Sequence, residues 1–96
     1  MPERDEKPPG RVIALQYSGT GAPKVTAKGE GHVAARILEV AEQAGVPVRR
    51  DPALVQALST LELDREIPEE LYAAVAEVLA WAYRLDGDAK RSRALR

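Results

Sequence analysis

Apolar and polar residues change their period several times along the chain, and each change marks an element. Val12 to Tyr17 (VIALQY) is nearly all apolar and β-rich, which predicts a strand buried on both faces. Ser18-Gly19-Thr20-Gly21 reads as a turn. Lys24 to Lys28 (KVTAK) then alternates polar and apolar residues, predicting a half-buried strand that forms a hairpin with the first. Gly29-Glu30-Gly31 breaks this strand and opens a helix. In that helix Val33, Ile37, Val40, Ala41 and Ala44 recur at i, i+4, i+7, i+8 and i+11. Gly45 stands where a left-handed C-cap is wanted, with Pro47 behind it. Val46-Pro47-Val48 predicts a short strand at an edge or a strand start, because proline cannot donate to a ladder. Asp51-Pro52 begins a second helix that carries Leu54, Val55, Leu58 and Leu61 and ends near Thr60 to Glu62. After the charged connector Leu63 to Glu66, Pro68 opens a third helix with Glu69 and Glu70 at its positive end. Leu71, Val75, Val78, Leu79, Ala82 and Leu85 form its stripe, and Asp86-Gly87-Asp88 ends it.

The order is therefore β-β-α-β-α-α, an α/β class with a small mixed sheet of about three strands packed with helices. The ends are expected to be tails. Residues 1–10 are charged and Pro-rich, residues 11–86 form the domain, and residues 87–96 form a basic, mobile tail.

Composition narrows the function classes. The chain has 96 residues, enough for one small domain. Its 14 Lys and Arg against 15 Asp and Glu give a net charge of −1, so no general field attracts nucleic acid or an anionic membrane. With no cysteine there is no disulfide, thiolate nucleophile or thiolate metal site. No apolar run is long enough to span a bilayer, and the opening MPERDEKPPG is the opposite of a signal peptide, so a cytoplasmic location is expected. Neither metal nor cofactor is expected: the single histidine, His32, has no clustered partner, and Gly29-Glu30-Gly31 lacks the third glycine of a phosphate-binding fingerprint. Lys90, Arg91, Arg93 and Arg96 supply an alternative, a small nucleic-acid-binding domain using the basic C-terminal tail. No aromatic residues interleave with them to stack on bases, and no nucleic-acid partner is expected. Trp81 and Tyr83 lie off the main stripe of the third helix, with Tyr72 and Ala76 on its flank, where they either widen the core face or form a small exposed apolar patch.

Read in order, VIALQY, APKVTAKG, a helix, GVPV, DPALVQAL and IPEELYAAVAEVLAWAYRL form a series. The series resembles the cytoplasmic C-terminal domain of the FlhB/YscU family, the export switch proteins of flagellar and type III secretion, over residues 8–85. The resemblance implies a docking platform for export substrates and export-gate proteins, reaching the membrane through such partners only, with no small-molecule substrate. It also implies a hydrophobic recess at Ala22, Pro23, Ala76 and Leu79 as the partner-binding site. The family's members carry transmembrane helices ahead of this domain, and a freestanding form without them is expected here. They also carry an Asn-Pro-Thr-His cleavage motif, whose place falls on Lys7, Pro8, Pro9 and Gly10. The Asn amide closes a succinimide on its own carbonyl. A charged lysine with a long stem cannot, so the chain is expected to be cleavage-incompetent and not an enzyme. Ser59 and Thr60 are a further departure, standing where the family often has a tyrosine and a basic residue.

Overall fold

The computed structural model describes residues 10–86 and 92–96. Strand β1 (Arg11–Gln16) pairs antiparallel with β2 (Lys24–Glu30) across the turn that begins at Tyr17. Helix α1 (Gly31–Gln43) leads to β3 (Val48–Arg49), and α2 (Pro52–Leu58) follows. A 3-10 turn (Glu69–Leu71) opens α3 (Tyr72–Asp86), and β4 (Ser92–Leu95) completes a sheet of order β2-β1-β4-β3. β4 runs antiparallel to β1 and parallel to β3, so the sheet is mixed, as expected for the fold class.

The sheet separates two apolar clusters, because successive residues of β1 point to opposite faces. Ile13 and Leu15 pack with Val25, Leu54, Val55, Leu58, Ile67, Val75, Val78 and Leu95 beneath α2 and α3. Val12 and Ala94 pack on the other face with Ala34 and Ala41 of α1. That two-sided burial is why VIALQY lacks a polar alternation. In β2 the alternation is interrupted by a bulge: Ala14 pairs with Ala27 but Leu15 with Val25, leaving Thr26 over. The extra residue turns Val25 into the larger cluster, and the Thr26 hydroxyl donates to the Ala14 carbonyl at 3.4 Å.

Helix boundaries follow their local chemistry. α1 ends as the sequence predicts, with Gly45 at φ 72°. The Val46 N–H donates to the Ala41 carbonyl (2.8 Å) and the Gly45 N–H to that of Glu42 (3.2 Å), the paired bonds of a Schellman motif. At the start of α2 the Asp51 carboxylate accepts from the Leu54 N–H at 3.2 Å, with Pro52 at the first helical position. α2 stops at Leu58, earlier than predicted, because the Ser59 hydroxyl turns back to the Gln56 carbonyl (2.9 Å) and Lys28 reaches over its end. The Lys28 Nζ donates to the carbonyls of Ser59 (3.2 Å) and Leu61 (2.7 Å).

Four further expectations are corrected. Residues 92–95 are not part of a basic tail but the fourth strand, placed between β1 and β3, with Arg93 fully buried. Residues 1–9 and 87–91, and with them most of the two expected tails, lie outside the described residues. In α1, Val33 and Val40 are exposed, and the packing face is Ala34, Ile37, Leu38 and Ala41. A Cβ at Gly29 would overlap the Val33 side chain and lie 3.1 Å from the Ile37 Cδ1, so the end of β2 lies close against α1, and it is Ala34 and Ala41 that pack with Val12 and Ala94. In α3, Leu85 is exposed while Val75, Val78 and Ala82 are buried. The third strand also starts later than predicted, at Val48, with Pro47 contributing its carbonyl to the Ala94 N–H (3.0 Å).

Candidate functional site

The connector from α2 to α3 shapes an open, partly apolar recess. It runs along the outer edge of β2, where the Asp64 N–H donates to the Val25 carbonyl (2.8 Å) and the Ile67 N–H to the Pro23 carbonyl (3.1 Å). Asp64 takes φ 66°, which lets the chain turn between these two bonds. Ile67, 2% exposed, anchors the strap in the larger core cluster. Glu66 is thereby set beside Lys24 at the edge of the sheet, and α3 begins directly above.

Between the β1–β2 turn and α3 this leaves an open cavity of about 420 Å³, lined by Tyr17, Gly21, Ala22, Pro23, Glu66, Tyr72, Val75, Ala76 and Leu79. Each lining residue follows from local structure. Gly21 adopts φ 72°, so the turn folds back and presents Ala22 and Pro23. Pro23 is buried and has no N–H to donate, so its carbonyl alone serves the strap. On α3, Tyr72, Ala76 and Leu79 fall at i, i+4 and i+7 and share a face. Val75 is 1% exposed, Leu79 is half-buried against the core, and Ala76 is exposed. Leu79 thus belongs to core and recess at once.

The structure brings Ala22, Pro23, Ala76 and Leu79 together in this one cavity. Tyr17, Gly21, Glu66 and Val75 complete it and were not singled out from the sequence. Glu66 carried one signal: it precedes Ile67, the apolar residue that ends an otherwise charged connector. Of the remaining sequence candidates, His32 is exposed at the start of α1, and Gly10 accepts the Gly31 N–H at 3.3 Å. Lys7, Pro8 and Pro9 lie outside the described residues. Of the basic segment, Arg93 is inside the sheet and Arg96 is exposed with its N–H donating to the Arg49 carbonyl (3.0 Å), while Lys90 and Arg91 lie outside the described residues. The nucleic-acid alternative loses Arg93 to the core and finds no support among the described residues. Trp81 lies off the recess, with the Arg49 guanidinium 5.8 Å from its ring centroid.

Comparison with known proteins gives the family. The model of the FlhB HrpN YscU SpaS family matches residues 8–82. The chain belongs to this family. The FlhB/YscU chain is 39% identical to the Bacillus subtilis protein YlqH over 92 residues, covering 94% of this chain and 99% of that one. It is 51% identical to the flagellar biosynthetic protein FlhB of Yersinia enterocolitica over 77 residues, 77% of this chain. It is 36% identical to the hypersensitivity response secretion protein HrcU of Ralstonia nicotianae over 72 residues, 73% of this chain. The chain spans about a fifth of the length of the FlhB and HrcU proteins it matches. Among the described residues no helix is long and apolar enough to cross a membrane.

Proposed function

We propose that this FlhB/YscU family chain is a cytoplasmic, non-enzymatic binding module of flagellar or type III protein export. It docks export substrates or export-gate proteins in the recess between the β1–β2 turn and α3. The observation that carries this reading is the convergence of Ala22, Pro23, Ala76 and Leu79, distant in sequence, on one open apolar cavity. Small side chains at Ala22 and Ala76 keep the cavity deep enough for a partner's apolar side chain, and Pro23 stiffens its wall. The family resemblance puts the cleavage motif on Lys7, Pro8, Pro9 and Gly10, where no Asn stands, and on this reading the chain acts uncleaved.

Binding of purified export-gate proteins and N-terminal segments of early export substrates to the immobilised chain tests this reading. Retention by the natural chain, and at least about tenfold weaker retention by Ala76→Gln, is expected. Ala76 is exposed, so the substitution fills the recess without touching the core. No retention, or retention that ignores Ala76→Gln, would overturn the proposal.

A further inference from the structure

We propose that the recess selects a short amphipathic helix carrying Lys or Arg at one end, laid along α3 with its basic end over Glu66, Glu69 and Glu70. This inference rests on the docking reading above and adds the chemistry of the occupant. The apolar half of the surface extends beyond the cavity. Tyr72, Ala76, Leu79 and Tyr83 recur at i, i+4, i+7 and i+11 on α3. Tyr72 is 45% and Tyr83 52% exposed, so this stripe faces solvent while Val75, Val78 and Ala82 face the core. At the helical rise it runs about 16 Å, a length that a facing helix of three turns covers. Such a helix presents anchors at i, i+4 and i+7, and one of them enters the cavity between Pro23 and Leu79.

The charged half lies at one end. Glu66 lines the cavity, and Glu69 and Glu70 are exposed in the turn that opens α3. Among the described residues none of these three carboxylates forms an ion pair, whereas Glu30, Glu39 and Glu62 are each held by an arginine. Lys24, which bridges to Glu66 through the backbone, is the cation beside them, and Arg65 is engaged by Glu62 at 3.3 Å. The rim at this end is therefore net acidic. The last turn of α3 carries both Arg84 and Asp86, so the net acidic charge is confined to the end at Glu66, Glu69 and Glu70. A partner helix with a basic end there complements it, and one with acids over Glu66 is repelled. Exposed pairs are individually weak, so the anchor holds the partner and the rim chooses it.

Fluorescence anisotropy with the full chain decides the matter. Two fluorescein-labelled Ala-based helical peptides serve as probes. They share leucines at i, i+4 and i+7 and differ only in carrying Lys or Glu pairs at one end. The Lys peptide is expected to bind about tenfold more tightly, the combined effect of three weak pairs. The preference should vanish in the exposed-site variant Glu66→Gln, Glu69→Gln, Glu70→Gln and shrink at about 1 M salt. Equal binding of both peptides, lost in Ala76→Gln, would overturn the basic-end rule and leave the docking reading intact. Lys-peptide binding that survives Ala76→Gln would place the site elsewhere and overturn the inference. If neither peptide binds while export components are still retained through Ala76, the helical occupant is wrong and the docking reading stands.

Discussion

Gly29 leaves the space that the Val33 side chain of α1 takes up. A Cβ there would overlap Val33, so Gly29→Ala should lower stability by about 1–3 kcal/mol, the usual cost of overpacking. Val33 is 58% exposed and inexpensive to shorten. The double variant Gly29→Ala, Val33→Ala should therefore recover part of the loss in urea denaturation. Additive losses would show that the clash is not the cause. Lys28 acts at the same scale, joining β2 to the end of α2 through two backbone carbonyls. Lys28→Met keeps most of the aliphatic stem but removes both bonds, and should cost about 1 kcal/mol in the same measurement. Asp51 was legible from the sequence because a cap is local chemistry. Lys28 was not, since its partners lie more than thirty positions away.

Among the elements, β4 overturned an expectation. A four-residue segment with an arginine at its second position gives no period to read, and SRAL reads as tail. In the structure it occupies the gap between β1 and β3 and buries Arg93, Ala94 and Leu95. Ala94→Pro removes the donor to the Pro47 carbonyl from a strand paired on both sides. It should destabilise the chain by at least about 2 kcal/mol, and an unchanged melting temperature would show that β4 contributes nothing to the fold. α1 shows a different limit of pattern reading. Val33 and Val40 fit the helical period as well as Ala34 and Ala41 do. The period alone does not say which side of the stripe meets the sheet. In the folded chain Ala34 and Ala41 are the ones that pack with Val12 and Ala94.

For the whole molecule, the recess joins pieces that no local pattern connects. Ala22 and Pro23 follow the first strand, Glu66 is held by the strap, and Ala76 and Leu79 ride on α3. Family resemblance pointed to four of these residues before the structure placed them together. Tyr17, Gly21, Glu66 and Val75 needed the tertiary contact between the strap and β2 to become neighbours of the site. The opposite end of the chain bears on the proposed lack of self-cleavage. Intact-mass spectrometry after prolonged incubation at neutral pH should show one full-length species, because Lys7 cannot close a succinimide. A fragment pair split at Lys7-Pro8 would contradict it.

By itself the sequence determined the elements whose signals are local: the two-faced strand Val12 to Tyr17, the Gly45 stop, the Asp51-Pro52 start and the helix from Pro68. Each rests on the period or backbone chemistry of a few adjacent residues. The order and spacing of those elements also carried the family. Tertiary structure alone decided the rest. It placed β4 between β1 and β3, turned the alanine face of α1 to the sheet, and folded the connector along β2. Strand pairing and close packing depend on partners far away in the chain, and only the folded sheet supplies them.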